Sequence, residues 1–409
     1  MKRSTRSALS TLSLLNTVSL LSTASLVTCL ALWGCAEADR DEGPLELEVT
    51  DVPVTVEDAD LVQVSDLRMD PEGRTWVLTR YPPLVRVYGE DGAREAAFGE
   101  LGDGPGEFNS AWALVAGGDA GIGVVDNRRW TLRYFGPDGT LQSEREVGGD
   151  FSFPAEIRDV YYGDLGWTWA VDGGLLQDRY PPPPAGMPMQ MQQAYDFWAA
   201  ELRFTPDDGG EPRTLVTFSD FAAFDPEEEA APRPLSAGPL WDLCPGEEFV
   251  FHTGTTSEVV RLGMDGDVRS RSHVELPMGA PDVELVTEWM VEVISGIQPM
   301  PGDTPEGMRE RAGMVAQMAE PHLEPTLPPT RLRCDEGGRV WIQLFDMEHD
   351  RRGYAREWVV LDDEGALVAT VTFPEGFHPV RFAADLVVGI VRDELEVETV
   401  GWIPTPDLR

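Results

Sequence analysis

At 409 residues, with 72 Asp and Glu against 32 Lys and Arg and a formal charge of -40, the chain repels phosphate backbones and anionic lipid headgroups. That argues against nucleic acid and against electrostatic membrane binding. Lys2 is the one lysine, so arginine carries the positive charge, and it forms no basic patch.

In chain order, residues 1–35 have the layout of an export signal. Lys2, Arg3 and Arg6 form a positive start, no acidic residue precedes Glu37, and an apolar, Ser/Thr-diluted stretch runs from Leu9 to Leu32. No later stretch reaches the roughly 18 apolar residues a spanning helix needs. The motif Leu32-Trp33-Gly34-Cys35 resembles the lipobox of bacterial lipoproteins, although Trp33 departs from the small residue usual there. The resemblance implies cleavage before Cys35 and acylation of its sulfur. Ala36 after the cysteine resembles an outer-membrane sorting pattern. Ala36-Glu37-Ala38 also fits ordinary signal cleavage, which would release a secreted protein. Residues 36–46 then read as a polar tether, and 47–409 as one all-β domain.

From Ser65 to Phe108 short apolar runs alternate with Asp/Gly turns, such as Asp70-Pro71-Glu72-Gly73 and Glu90-Asp91-Gly92. Runs of this kind are antiparallel strands joined by tight turns. Four of them in about 45 residues is the period of one propeller blade. The segment Leu332–Ile342 copies Leu67–Val77 with few changes, and weaker copies begin near Ala113, Asp159, Trp241 and Val380. Six copies imply a six-bladed β-propeller. An early strand within Leu45–Val56 is expected to complete the last blade and close the ring.

The run Phe98-Gly99-Glu100-Leu101-Gly102-Asp103-Gly104-Pro105-Gly106-Glu107-Phe108 resembles the Gly-Pro-Gly-Glu-Phe blade junction of NHL-like and TolB-like six-bladed propellers, many of them bacterial lipoproteins. Val125 to Arg129 with Tyr134-Phe135 resembles their blade pattern imperfectly. The resemblance covers the chain from about residue 45 onward and is specific for fold, since such propellers serve as lactonases, lyases, scaffolds and receptors.

With blade strands lettered A to D, the A–B and C–D turns are short, and the long excursions fall in B–C or D–A connections. These are residues 173–198, 219–238 and 276–329, all expected on one face, which becomes the expected binding face. The first carries Pro181–Pro184 and Met187, Met189 and Met191, suited to varied partners or to a flap over the ring's mouth. The last holds a short helical insertion, with apolar residues at helical spacing and Thr304 as N-cap before Pro305.

On that face lie the candidate ligand-binding residues Glu107, Asp126, Asn127, Arg128, His252, His349, Asp350, Arg351 and His378. His252 is placed at the end of strand B of the fourth blade, His349 in a B–C loop and His378 in a D–A connection. Three imidazoles on consecutive blades suit zinc, though no short His spacing supports it. Glu107, Asp126, Asp346, Glu348 and Asp350 suit calcium, though no Asp-x-Asp-x-Asp-Gly loop occurs. Packed histidines and solvated acidic loops are the plainer readings, so no catalytic residue, no metal site and no required cofactor are assigned. No nucleophile elbow or P-loop appears. Of four cysteines, Cys244 and Cys334 end the A strands of neighbouring blades. An oxidising compartment would allow them to pair, while the divergence of neighbouring strands around a ring opposes it.

Two functions remain open. One is a non-enzymatic, monomeric envelope lipoprotein binding a protein, peptide or glycan, or tethering protein complexes. The other is a calcium- or zinc-dependent hydrolase or lyase of the lactonase-like propeller type. Only the lipid anchor is expected to touch a membrane.

Overall fold

In the computed structural model the described residues are 44–116, 122–146, 168–179, 201–217, 240–277, 304–314, 329–345 and 356–408, apart from short gaps within those spans. Almost all of them are strand or turn. Sheet one consists of Val64–Met69, Thr75–Thr79, Val85–Tyr88 and Arg94–Phe98, and sheet two of Ala111–Ala116, Ile122–Asp126, Thr131–Phe135 and Leu141–Glu146. Sheet three has Thr168–Val171, Gly174–Arg179, Glu201–Pro206 and Arg213–Thr217; sheet four has Leu240–Cys244, Glu248–His252, Glu258–Gly263 and Val268–His273. Sheet five has Arg331–Cys334, Val340–Gln343, Glu357–Leu361 and Leu367–Thr372; sheet six has Phe377–Phe382, Leu386–Arg392 and Glu398–Pro404. Within each sheet consecutive strands pair antiparallel, giving the order A-B-C-D. This is the architecture of a β-propeller.

Burial follows from that architecture. Strands B and C of sheets one and two are buried at every position, as in Thr75–Thr79, Val85–Tyr88, Ile122–Asp126 and Thr131–Phe135. Continuous burial means neighbours on both faces. The D strands Arg94–Phe98, Leu141–Glu146 and Val268–His273 are mostly exposed, as expected of an outer rim. Apolar clusters sit in the seams between sheets. Trp76, Val85 and Val87 of sheet one meet Leu114, Ile122 and Phe135 of sheet two, with Phe108 between them. Leu202 and Val216 of sheet three meet Trp241, Phe249 and Phe251 of sheet four. Val250 and Val259 meet Leu332 and Ile342 of sheet five, whose other face, with Trp341, Trp358 and Val371, meets Phe377 and Phe382 of sheet six. Finally Val388, Val400 and Trp402 of sheet six pack on Leu67, Val77 and Tyr88 of sheet one. A Trp or Phe buried in such a seam contributes about 3–5 kcal/mol against truncation to alanine.

An early strand completes the last sheet as expected, and a second one joins the sheet before it. Val54–Thr55 pairs antiparallel with Glu398–Pro404 as the outer strand of sheet six. Leu45–Glu48 pairs parallel with Leu367–Thr372, as a fifth strand on sheet five. A sheet edge left bare invites further pairing, and these two short strands cover two of them. Leu45 and Glu46 therefore lie in a sheet rather than in the expected tether.

Other expectations shift as well. Strand B of sheet three is Gly174–Arg179, so the long excursion expected from residue 173 begins only after Arg179. Most of the expected insertion 276–329 and all of residues 180–198 lie outside the described residues. What is described there includes helical residues 306–310 and 313–314. Gly307 N–H donates to Thr304 Oγ1 at 3.1 Å and Met308 N–H to the Thr304 carbonyl at 2.9 Å, as an N-cap requires.

Candidate functional site

The strongest repeat in the sequence is a folding device. Asp70 Oδ1 accepts the amides of Glu72 and Arg74, while Oδ2 accepts Arg74 Nε at 2.7 Å and the indole N–H of Trp76 at 2.9 Å. Asp335 does the same with Gly337, Arg339 and Trp341, at 2.7 Å to Arg339 Nε and 3.0 Å to the indole. One carboxylate thus satisfies the turn's amides, pairs the arginine and fixes the tryptophan that fills the seam. Gly73 and Gly338 take the positive φ the turn requires, 81° and 82°. The C–D turns use the same chemistry: Asp91, Asp138 and Asp265 each accept an amide two residues on. The A–B turns at Asp70 and Asp335 and the C–D turns at Asp91, Asp138 and Asp265 are thereby short and satisfied by their own aspartates.

The Gly-Pro-Gly-Glu-Phe run is also structural. Glu100–Leu101 and Glu107–Phe108 pair as a two-stranded parallel ribbon. Glu107 Oε2 accepts the Gly104 amide at 2.8 Å, and the Glu107 carbonyl accepts Arg129 and Arg133. Asp126 is fully buried. Its Oδ2 accepts Asn109 N–H at 2.8 Å, and its Oδ1 accepts the amides of Ser110, Arg128 and Arg129 at 3.1–3.2 Å. With those lone pairs engaged by the backbone, the expected calcium role does not fit Asp126; the residue splices sheet one to sheet two. Arg128 is exposed beside it.

His252 ends strand B of sheet four as expected and is 2% exposed, and burial pushes its imidazole down to about 4. His378 corrects its expectation. It lies inside strand A of sheet six, opposite Ile390, rather than in the connection before it. Its neighbour Phe377 fills the seam, which is why the strand starts earlier than its hydrophobic pattern suggested. Cys35, Asn127, His349, Asp350 and Arg351, with Asp346 and Glu348, lie outside the described residues. Among the described residues no three His, Cys, Asp or Glu side chains are grouped to hold a metal.

What sequence reasoning missed is a belt of buried charge on the inner strands. An A strand pairs on one side only, so every second residue points its N–H and C=O away from its sheet. The belt answers those groups from the preceding sheet. Asp66 Oδ2 accepts Leu114 N–H at 2.8 Å and Arg68 Nε donates to the Leu114 carbonyl at 3.0 Å, bracketing one residue of sheet two. Asp242 Oδ2 accepts Cys334 N–H at 2.9 Å, and Cys244, two residues on, is disulfide-bonded to Cys334 with Cα atoms 5.2 Å apart. Arg331 and Arg333 donate to the carbonyls of Pro379 and Val380 at 3.4 and 3.3 Å. Arg381 Nη2 lies 3.6 Å from Asp66 Oδ1, joining sheet six to sheet one.

The repeat copies Asp66 as Arg331, and the partner explains the swap. Pro379 has no N–H for a carboxylate to accept, and the register shift after it presents two successive carbonyls to donors. Burial pushes the Asp242 carboxyl up, with Arg333 and Arg68 pulling the other way. The signal for this belt was present as charged residues spaced i, i+2 around buried leucines, in Asp66-Leu67-Arg68 and Arg331-Leu332-Arg333. Hydrophobic pattern reading passes over it.

The opposite edge carries different chemistry. Tyr81, Leu101, Met314, Leu395 and Val397 are large apolar residues, 54–82% exposed. All five lie in B–C or D–A connections, and so does the stretch between His273 and Arg331, the longest between consecutive strands. Leu141 and Val268 on the outer strands are less exposed, 38% and 42%.

No protein-family model matches the chain, and no curated protein matches its sequence. Among solved structures, a member of the DUF4221 family from Bacteroides vulgatus is similar at TM-score 0.53 and 10% identity, covering 88% of this chain and 98% of that one. A gluconolactonase from Xanthomonas campestris aligns at TM-score 0.41 and 11% identity, covering 84% of this chain and 87% of that one. A calcium-binding regucalcin from Agrobacterium tumefaciens aligns at TM-score 0.40 and 11% identity, covering 88% and 96%. At these identities the likeness concerns the fold, and only the first alignment is close enough to bear on it.

Proposed function

We propose that the chain acts outside the cytoplasm as a lipid-anchored, six-bladed binding propeller, engaging a protein, peptide or glycan through the face formed by its B–C and D–A connections. The observation that carries this reading is the division of labour between the two edges. Asp70, Asp335, Asp91, Asp138 and Asp265 close their own A–B or C–D turns, while Tyr81, Leu101, Met314, Leu395 and Val397 stand exposed in the B–C and D–A connections. A blade number of six is supported by the six sheets and by inner strands that pack from sheet four to five, five to six, six to one, one to two and two to three. The lipid anchor rests on the resemblance of Leu32–Cys35 to a lipobox.

The test is to place a photo-crosslinking residue at Tyr81, Leu101 or Leu395 in cells, with Leu141 and Val268 on the outer strands as controls. A discrete adduct from the first set and none from the controls is the expected result; no adduct, or equal adducts from both sets, removes the reading. Metal analysis of the purified protein addresses the competing reading. Stoichiometric calcium or zinc that a chelator strips would replace the binding protein with a metal-dependent hydrolase or lyase.

A further inference from the structure

One charged side chain in the seam between sheets four and five meets a sulfur. Arg261, on strand C of sheet four, points Nη1 at Cys244 Sγ, 3.7 Å away in a buried position. Its Nη2 donates to the Gly338 carbonyl of sheet five at 2.7 Å, so the guanidinium is fastened across the same seam that the disulfide crosses. Burial pushes that guanidinium down, with Glu248, Asp363, Asp362 and Asp335 pulling the other way. Glu248 lies opposite Cys244 in the ladder, Asp335 follows Cys334, and Asp242 has its Oδ2 on the Cys334 amide. The two sulfurs therefore differ. Cys244 is 4% exposed and backed by a cation, while Cys334 is partly exposed with its backbone amide held.

Thiol–disulfide exchange runs through attack of a thiolate on one sulfur and departure of the other, and the better leaving group is the one whose thiolate is more stabilised. A neighbouring arginine lowers a thiol's pKa. We propose that Cys244–Cys334 is a directional exchange site for a dithiol reductant, with Cys334 as the attacked sulfur and Cys244 as the leaving thiolate held by Arg261. The incoming thiolate forms a bond to Cys334 Sγ as the bond between the cysteines breaks, and the electron pair stays on Cys244. The reductant's second thiolate then attacks its own sulfur in the mixed disulfide, closes the reductant's disulfide and releases Cys334, which takes a proton. Two electrons pass from the dithiol to the cysteine pair, and the remaining proton goes to solvent. The result is a seam whose covalent tie is removed from a defined side while Asp242 still holds the Cys334 amide.

Glutathione, a monothiol, traps the first step. Incubated with the folded full-length protein, it should be found by peptide mass spectrometry on Cys334. Finding it on Cys244, or a bond that dithiothreitol leaves intact until urea unfolds the chain, overturns the proposal. Arg261→Leu should slow reduction by dithiothreitol about tenfold, with Arg261→Lys close to the wild type and near-ultraviolet circular dichroism unchanged in both. Equal rates in all three overturn it. If the leucine variant does not fold, the ultraviolet titration of thiolate in the reduced wild type decides. Cys244 should ionise below the usual thiol range near about 8.5, and ionisation at or above it overturns the assignment.

Discussion

Single carboxylates in this protein carry several bonds each, so their removal should be costly in a characteristic way. Asp70 and Asp335 each serve two amides, one arginine and one indole with the same geometry at two places in the ring. Asp70→Ala and Asp335→Ala should each lower stability by roughly 2–4 kcal/mol, because a buried tryptophan N–H and two turn amides lose their acceptor. Urea unfolding followed by tryptophan fluorescence would measure both, and unequal losses would show that the two copies are not energetically equivalent. His252 sets a pH dependence whose sign follows from its burial. Its folded-state pKa, about 4, lies below the 6.5 of an unfolded imidazole. The unfolded chain therefore takes up the proton first. The contribution is fully present above about pH 6.5 and is lost as pH falls toward 4, with a slope of up to about 1.4 kcal/mol per pH unit. Replacing His252 with Gln should flatten stability across that window in a comparison of urea midpoints at pH 4.5 and 7.

At the scale of the strand, the unpaired edge of each A strand is the feature that needed an answer, and the i, i+2 charges supply it. The Leu114 amide should be protected from hydrogen exchange only while Asp66 is present. Asp66→Leu should cost roughly 3–5 kcal/mol, since it also takes from Arg381 the carboxylate 3.6 Å away. Faster exchange at Leu114 than at its neighbours would be the local signature. Much of this level was legible in the sequence. Turn residues located the hairpins, because Asp-Gly chemistry is local and depends on few neighbours. The repeat of Leu67–Val77 at Leu332–Ile342 located two sheets. The inner belt was not legible, because Asp66, Asp242, Arg331 and Arg333 act on the next sheet's backbone, and no local pattern says which sheet comes next. Asp126 misled for the same reason. An aspartate read as a loop residue looks like a ligand until the amides of Asn109 and Ser110, 17 and 16 residues away, are seen to converge on it. The sixth copy was read from Val380, whereas the strand starts at Phe377 and runs through Pro379, since an inner strand tolerates a proline whose missing N–H points away from its sheet.

For the whole molecule, four seams (one–two, four–five, five–six and six–one) share one construction: apolar and aromatic residues fill the faces, and the belt ties the inner edges. Sheets five and six differ in also borrowing strands from the start of the chain. Deleting residues 44–56 should leave Glu398–Pro404 and Leu367–Thr372 as bare outer strands. It would also remove the bonds from Val49 to Thr372, from Val56 to Val400 and from Thr399 to the Val56 carbonyl. The truncated protein should melt at a lower temperature and self-associate through the new edges. Light scattering after size-exclusion chromatography reads the second effect, and a monomer as stable as the parent would contradict it.

Those borrowed strands also set an order of events. Leu45 pairs with Ala369, and Val54 with Trp402, so strands near residue 50 wait for partners far along the chain. Until those partners exist, residues 45–55 have no sheet to join, and a chain lacking sheets five and six presents loose strands on its flank. Full protease resistance of residues 45–55 should therefore appear only once Leu367–Thr372 and Glu398–Pro404 are folded.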